Sequence, residues 1–506
     1  MKMQNCLIAL TVTVCLLTGC APTAAAAVET NTQAAPVETA VASTGTATEN
    51  AVLFSDSGIT ASRLDGLEID GTTLTVTQPG TYSLSGQCSD GSVKVQKGTT
   101  GVTLVLNGLD LRGGGTAAIV CAKSTQVTIE AAAGTENTLS DTESNNDETG
   151  SAEAENAVIK CKDGSQVTLC GTGKLNIQAN GKNGIRSGAS TQEEGDASLT
   201  VRDLTLNISA PVNDAVNAEA ELRVESGTIA IEAGDDALHC DGALTVGAEN
   251  TDGPAITISA CYEGLEGATV DIYSGNISIQ ATDDCVNAAS SQLTGYDFAL
   301  NIHGGTVIAY TTAGDGFDSN GSMTISGGTV AVWTANTADN QPLDADGTVT
   351  ISGGTVVAAG GSGGMGMNLN AVQPCVIFTA QSGMEKMGQA GLLTKDAAFS
   401  ILDSQEKTLF DASAQCGAGF LLFSSGSLVE GESCALSSGG TETTGQVQAG
   451  TVSTGMGGMG GMGFRGDIPS DGGFRQNDGE KPDNKGFRPG TKPDGAEQNG
   501  GKNAST

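Results

Sequence analysis

The sequence predicts an all-β fold, a right-handed parallel β-helix, from three observations. Short segments of alternating apolar and polar residues recur along the chain, and many are joined by a Ser-Gly or Gly-Gly turn. The 506 residues include 73 Gly but only 11 Phe, 5 Tyr and 1 Trp, so the core must consist of Val, Ile, Leu, Ala and Cys. Such side chains suit the narrow interior of stacked parallel strands, which have neighbours on both sides.

The repeat is clearest in five segments that each contain a short strand, a glycine turn and a second short strand. The turn glycines are separated by steps of 48, 30, 23 and 26 residues, and the first step is close to two repeats. Stacked coils of about this length form solenoids, and glycine at a corner permits a positive φ. The turn glycines are Gly227, Gly275, Gly305, Gly328 and Gly354.

Composition divides the chain into further parts around this repeat. We place the β-helix at 51–375 and a small C-terminal β element at 376–440, because the last coil of a solenoid needs covering. Residues 21–50 are mostly small and polar without periodicity and predict a flexible linker. Residues 441–506 are rich in Gly, Met and Pro and predict a disordered tail.

Residues 1–20 have the features of a bacterial lipoprotein signal peptide. Lys2 supplies a positive charge, and Leu7 to Leu17 form an apolar run too short to span a bilayer. The Leu-Thr-Gly-Cys sequence that ends this segment resembles the bacterial lipobox, which implies lipid attachment at Cys20. We therefore expect a protein held on the extracellular face of the bacterial cell membrane by its lipid alone. An ordinary secretory signal with a chance cysteine is the alternative.

Charge and cysteine content exclude several classes of partner. The formal net charge of −35 repels nucleic acid and anionic lipid and attracts divalent cations. Two His and no Cys-x-x-Cys spacing argue against zinc. We interpret the cysteines of the repeats as small buried apolar residues, although an exported protein can also form disulfides.

Acidic residues recur at one phase of the repeat, directly after its second strand. Equivalent positions on successive coils lie ~4.8 Å apart, so stacked carboxylates repel one another unless a cation lies between them. Between residues 183 and 385 the only basic residues are Arg186, Arg202 and Arg223. Calcium, which prefers oxygen ligands, is therefore the predicted cofactor, and solvated turn acids are the alternative. The predicted ligands are Asp214, Asp235, Asp236, Glu263, Asp283, Asp284, Asp315, Asp318 and Asp344.

Several short motifs carry a resemblance to a known family. They are Gly80–Gly86, Val105–Gly108, Gly134–Asn137, Gly171–Leu175 and the Ser-Gly-Gly-Thr units, together with the Asp pairs at 235–236 and 283–284. In this order they resemble the bacterial carbohydrate-binding β-helix family typified by a clostridial cellulose- and pectin-binding protein, over roughly residues 60–430. The resemblance implies bound calcium and binding to plant cell-wall polysaccharide, including acidic pectin, on a solenoid similar to that of pectate lyases.

Two enzymatic functions and one structural function are the alternatives to glycan binding. A lyase on this fold needs a basic residue beside calcium, and only Arg202 and Arg223, which we expect to lie within strands, could serve. Asn250–Gly253, Asp283–Cys285 and His303–Gly305 resemble motifs of β-helical polygalacturonases, in which carboxylates act as acid and base, but no substrate-clamping Arg-Ile-Lys-like motif follows. A surface adhesin or spacer would lack glycan affinity. We expect a polysaccharide-binding protein with no catalytic residues.

Overall fold

The computed structural model describes residues 50–191, 197–290, 297–335, 340–361, 368–380 and 391–453. Within these ranges every regular element is a β-strand, which confirms the all-β class. No helical segment of the described chain has the length and apolar character that a membrane span requires. The described residues do not include Cys20 with its signal peptide or the predicted linker up to residue 49. They also do not include the part of the predicted tail from residue 454 onward.

Ten strands precede a long excursion of the chain at residues 141–156. They are β1 (Asn50–Ser55), β2 (Gly58–Ala61), β3 (Leu67–Asp70), β4 (Thr73–Val76), β5 (Gly80–Cys88), β6 (Ser92–Val95), β7 (Val102–Arg112), β8 (Ile119–Cys121), β9 (Gln126–Ala131) and β10 (Glu136–Ser140). The pairs β1–β2 and β3–β4 are antiparallel, whereas β1–β5 and β5–β7 are parallel. The start of the sheet is therefore mixed.

The middle of the chain consists of 22 strands in which alternate side chains are usually buried. The first eleven are β11 (Ala157–Cys161), β12 (Gln166–Gly171), β13 (Lys174–Gln178), β14 (Asn183–Ser187), β15 (Ser198–Val201), β16 (Thr205–Ala210), β17 (Val216–Ala218), β18 (Glu221–Val224), β19 (Thr228–Ala233), β20 (Leu238–Val246) and β21 (Ala255–Ala260). The others are β22 (Leu265–Ile272), β23 (Asn276–Ala281), β24 (Val286–Ala288), β25 (Ala299–Ile302), β26 (Thr306–Thr311), β27 (Phe317–Ser319), β28 (Ser322–Ile325), β29 (Thr329–Thr334), β30 (Val349–Ile351), β31 (Thr355–Gly360) and β32 (Asn368–Thr379).

These strands form three parallel ladders, and the chain visits them in the same order in each coil. Ladder 1 pairs β4, β6, β8, β11, β14, β17, the first halves of β20 and β22, β24 and β27. Ladder 2 pairs β5, β7, β9, β12, β15, β18, the second halves of β20 and β22, β25, β28, β30 and β32. Ladder 3 pairs the end of β7 with β10, β13, β16, β19, β21, β23, β26, β29 and β31. Each coil thus has a 1–2, a 2–3 and a 3–1 corner.

The core is a stack of aliphatic side chains that point inward from the ladders. In ladder 2, Leu222, Leu244, Val270 and Leu300 are successive register partners, and each is fully buried. Burial of each such side chain contributes ~1.5–3 kcal/mol relative to exposure. The cysteines at 88, 121, 161, 170, 240, 261, 285, 375, 416 and 434 are all buried and free, so they act as small apolar residues.

The last six strands close the end of the sheet and form a second sheet. They are β33 (Ala398–Leu402), β34 (Thr408–Ser413), β35 (Phe420–Ser425), β36 (Ser433–Ser438), β37 (Thr441–Gln446) and β38 (Gln448–Ser453). β35 and β38 pair antiparallel with β31 and β32, so the 34-stranded sheet is mixed. β33, β34, β36 and β37 form a separate antiparallel sheet whose apolar side covers Trp333. β37 and β38 lie beyond the boundary predicted at residue 440.

Candidate functional site

The predicted metal ligands lie at the 3–1 corner. The residues Val216, Leu238, Leu265, Val286, Phe317 and Leu343 are successive register partners in ladder 1. The residue two places before each partner forms a turn column, and the residue after each partner forms a strand column. The turn column contains Asp214, Asp236, Glu263, Asp284, Asp315 and Gln341, and the strand column contains Asn217, His239, Glu266, Asn287, Asp318 and Asp344.

Three aspartates at the C-terminal end of the columns form a group made only of oxygen ligands. Asp315, Asp318 and Asp344 each offer a carboxylate oxygen, and these oxygens all lie within 4.8 Å of one another. Burial, with the charge of Asp344, raises the pKa of Asp315 to about 7 and that of Asp318 to about 6. None of the ion pairs that the described residues form includes any of the three. The group therefore lacks a protein counter-charge.

A second group of three predicted ligands lies nearer the N-terminus than the first. Asp214, Asp235 and Asp236 bring their carboxylate oxygens within 4.8 Å of one another. Asp214 is buried, and its Oδ2 accepts a hydrogen bond from Nδ2 of Asn217 at 2.7 Å. Burial raises the pKa of Asp214 and raises that of Asp236 to about 7. The predicted set thus divides into at least two local clusters.

His239 lies among the acidic residues of this corner, and the sequence did not predict it there. Its Nδ1 lies 3.4 Å from Asp236 Oδ2 and also contacts the Glu266 carboxylate, while its Nε2 lies 3.1 Å from Asp241 Oδ1. Burial opposes the charge on the ring, but hydrogen bonds to the three carboxylates raise the pKa of His239 far above its usual value. The imidazolium is thus a cation built into this coil. Its position three residues after Asp236 was visible in the sequence, whereas its register with Glu266 is visible only in the structure.

The remaining predicted ligands lie between these groups. Burial, with the charges of Asp236 and Glu266, raises the pKa of Glu263 to about 9. Asp284, whose pKa burial and Asp283 raise to about 8, accepts a hydrogen bond from the Asp315 backbone N–H at 2.7 Å. Among the described residues, Glu263, Asp283 and Asp284 join no group of three carboxylate or imidazole ligands within that spacing.

Asn287 supplies a second sign that a cation fits these columns. Its Nδ2 donates to Glu263 Oε2 at 3.0 Å, which leaves its Oδ1 as an acceptor. That Oδ1 is buried and has no hydrogen-bond donor. A buried acceptor without a partner costs about 1–3 kcal/mol, and a metal ion would satisfy it.

The motifs that resemble polygalacturonases do not converge. Asp283–Cys285 lies at the 3–1 corner, whereas Asn250–Gly253 and His303–Gly305 lie in 2–3 turns. A six-residue strand of ladder 3, such as β23, separates the two corners and spans roughly 20 Å. The carboxylates and the histidine of these motifs therefore do not form one acid–base site.

The family match to known proteins falls on the repetitive part of the chain. Residues 70–364 match the family described as carbohydrate-binding domain-containing protein. A protein of the same description from Acetivibrio thermocellus is 33% identical over 135 residues, which are 26% of this chain and 46% of that protein. The match thus spans about half the length of that relative. A solved structure, a gadolinium derivative of a polysaccharide lyase-like protein from C. thermocellum, is 24% identical with a TM-score of 0.33 and covers 60% of this chain and 92% of that chain.

Proposed function

Because the chain belongs to the family of carbohydrate-binding domain-containing proteins, we propose that it binds plant cell-wall polysaccharide, acidic pectin or cellulose, through calcium at the 3–1 corner. Family membership supports the binding of carbohydrate. The observation that carries the calcium proposal is the group of Asp315, Asp318 and Asp344, three converging carboxylates without a basic partner among the described residues. The polysaccharide class and the metal are our inferences.

Calcium suits the residues present at this corner. It binds carboxylate and amide oxygens with flexible geometry, and the Asp group and Asn287 Oδ1 supply such oxygens. Asp315, Asp318 and Asp344 would hold one ion, and Asp214 with Asp235 and Asp236 would hold another. The ion would supply positive charge where the protein has an excess of negative charge.

A bridging cation also explains how an acidic protein would bind an acidic glycan. The chain has a formal net charge of −35, and uronate carboxylates would be repelled by the turn and strand columns alone. Calcium that keeps an open coordination position can take one oxygen from the protein side and another from a uronate. Affinity for acidic glycan would then depend on the metal.

We propose that the protein binds rather than cleaves its glycan. Arg223 lies in β18 and Arg202 follows β15, so both belong to ladder 2 and not to the 3–1 corner. Arg186 is nearer, since it precedes Asn217 in the strand column, but it forms an ion pair with Glu219 at 3.2 Å. A lyase of the usual design would need a basic residue free to take a proton beside the metal.

The display of this surface follows from two further proposals. We propose that the three ladders wind as a right-handed β-helix, since parallel strands joined through a crossover are right-handed in about 98% of cases. We also propose that lipid on Cys20 holds the protein on the outer face of the bacterial membrane. The columns would then face the medium in which polysaccharide occurs.

The decisive experiment measures glycan retention with and without metal. The purified protein is passed over immobilised polygalacturonate and over cellulose in calcium, and then in the presence of a chelator. On polygalacturonate we expect retention in calcium, loss with the chelator, and loss in the variant Asp315→Asn with Asp318→Asn. The charge-matched control is Glu130→Gln with Glu232→Gln, which removes two carboxylates from ladders 2 and 3 instead.

Three results would contradict the proposal. Absence of retention on every glycan in calcium would favour a structural spacer. Retention on polygalacturonate that the chelator leaves unchanged would remove the metal from the mechanism. Release of unsaturated or reducing oligosaccharide from polygalacturonate would identify an enzyme.

A further inference from the structure

We propose that a pocket at the 2–3 corner is a second glycan subsite, which takes one neutral pyranose ring stacked on Tyr273. The inference rests on the proposed glycan binding and adds a site that needs no metal. The pocket has a volume of about 360 Å³ and is lined by Arg223, Glu225, Thr245, Gly247, Ala248, Glu249 and Tyr273. That volume lies at the lower end of the range for small-molecule sites, about 300–1,000 Å³.

One part of the pocket is a column of residues that directly follow the strands of ladder 2. The backbone N–H of Gly247 donates to Val224 O at 2.8 Å, that of Tyr273 donates to Val246 O at 2.9 Å, and that of His303 donates to Ile272 O at 2.8 Å. Glu225, Gly247, Tyr273 and His303 therefore occupy the same position in four successive coils. The side chains of Glu225, Tyr273 and His303 point outward, because the residues before them are buried in the core.

Two of these side chains form a rigid aromatic platform. The rings of Tyr273 and His303 stack with their centroids 4.4 Å apart and their planes inclined by 12°. His303 Nε2 lies 3.3 Å from Asp271 Oδ1, so a carboxylate holds the imidazole in place. Because one face of the Tyr273 ring is covered by His303 of the following coil, its other face is directed toward the preceding coil.

The preceding coil has no side chain at this position. Gly247 has a φ of +71°, and a Cβ there would lie 2.3 Å from Ser274 Oγ, so backbone geometry and packing both require glycine. The next side chain in the column, Glu225, is two coils from Tyr273, which is roughly 10 Å. A gap of this width accommodates one flat ring in van der Waals contact with Tyr273.

An extended turn forms the outer wall of the gap. The turn from Gly247 to Pro254 joins β20 to β21, whereas the next coil uses only Tyr273 to Gly275 between β22 and β23. Ser274 Oγ donates to Ala248 O at 2.9 Å and accepts from the Ala248 N–H at 3.1 Å. These bonds fix the extended turn to the following coil, so the wall that carries Ala248 and Glu249 is held in place.

The chemistry of the lining selects a neutral sugar. The negative face of an aromatic ring attracts the C–H groups on one face of a pyranose. Glu225 and Glu249 are acceptors for sugar hydroxyl groups, and their charges repel a uronate. Arg223 already forms an ion pair with Glu221, so it does not offset both carboxylates. The pocket therefore suits a neutral hexose of a cell-wall glucan, and the 3–1 corner suits acidic chains.

Titration calorimetry of the whole protein with a soluble β-1,4-gluco-oligosaccharide tests the subsite. We expect equal affinity in calcium and in chelator, about tenfold weaker binding for Tyr273→Ala, and nearly unchanged binding for Tyr273→Phe. Ala248→Phe should abolish binding, because it fills the pocket from the exposed turn without altering the platform. Unchanged thermal melting of each variant shows that the fold is intact.

Three outcomes would overturn the subsite and leave the proposed function standing. They are absence of gluco-oligosaccharide binding by the unaltered protein, equal binding by the Tyr273→Ala variant, and binding that disappears with the chelator. The calcium-dependent retention of polygalacturonate is measured on the same preparations. Its loss in the variant Asp315→Asn with Asp318→Asn, but not in Tyr273→Ala, separates the two sites.

Discussion

The 3–1 corner carries different charges in the early coils, up to Arg186, and in the late coils, which begin at Asp214. In the early coils the turn column contains Gly91, Ala117, Ala157 and Asn183, and the strand column contains Lys94, Val120, Lys160 and Arg186. From Asp214 onward the turn column is acidic up to Asp315, and from Asn217 onward the strand column has no Lys or Arg. The ladders tolerate both patterns because these side chains point away from the core. The fold is therefore compatible with either charge at this corner.

The largest expected effect tests whether the two sets of coils share the same core energetics. Leu104→Ala in an early coil and Leu244→Ala in a late coil each remove a fully buried side chain from ladder 2. Each should lower the free energy of unfolding by about 2–5 kcal/mol, and calcium should not alter that loss. Urea melts in calcium and in chelator measure it. A cost that depended on calcium in only one half would mean that the corner and the core are coupled.

The second effect concerns the metal alone. Calcium at about 100 times its dissociation constant should stabilise the protein by about 2.7 kcal/mol per site that is absent from the unfolded chain. Asp315→Asn with Asp318→Asn should remove the stabilisation that one site contributes. Lys94→Gln in an early coil should leave the stabilisation by calcium unchanged. Thermal melting across a calcium titration gives both values. An equal response to calcium in both variants would show that Asp315 and Asp318 do not bind the stabilising ion.

The third effect is a dependence of stability on pH in the metal-free protein. The pKa values of Asp236, Glu263 and Asp284 are raised to about 7, 9 and 8, above their unfolded values near 4. The folded state therefore keeps protons that the unfolded chain releases, and stability should fall as the pH rises from about 4 to about 9. Calcium should weaken this dependence by stabilising the ionised carboxylates. Melting temperatures at a series of pH values in chelator measure it, and a rise with pH would contradict the burial of these groups.

The smallest expected effect concerns the cation built into the late coils. His239→Gln removes the positive charge among Asp236, Asp241 and Glu266, so the metal-free protein should lose about 1–3 kcal/mol of stability. The same variant should respond more strongly to calcium, because an ion then replaces the imidazolium. His303→Gln, at the 2–3 corner, is the matched control. Equal calcium responses in the two variants would mean that His239 does not compete with the metal.

Much of the fold was predictable because its signals are local. Each strand with its glycine turn spans about a dozen residues, so alternation and turn chemistry indicate it without any tertiary contact. The positive φ angles of Gly227, Gly275 and Gly305 agree with their prediction as corner residues. The closing strand β38 was not predictable, since it pairs with the distant β32, whereas β37 forms a hairpin with β36 across Gly439 and Gly440 in a segment that was assigned to the tail.

The features of the candidate sites also divide into those that the sequence indicated and those that depend on the tertiary structure. The phase of Asp214 through Asp344 at the end of a strand was visible in the sequence, because it depends on distance along the chain. The convergence of Asp315 with Asp344, the cage around His239 and the gap beside Tyr273 depend on which residues of successive coils are in register.

By itself, the sequence determined the all-β class, the repeat, the burial of its small apolar residues and the acidic phase of the coil. Only the tertiary structure decided which carboxylates meet, which histidine joins them and where a side chain is missing from a column. The physical reason is that coil lengths vary, from 23 to 30 residues between adjacent turn glycines in the late coils. Register between coils is therefore set by backbone pairing and not by a constant spacing along the chain.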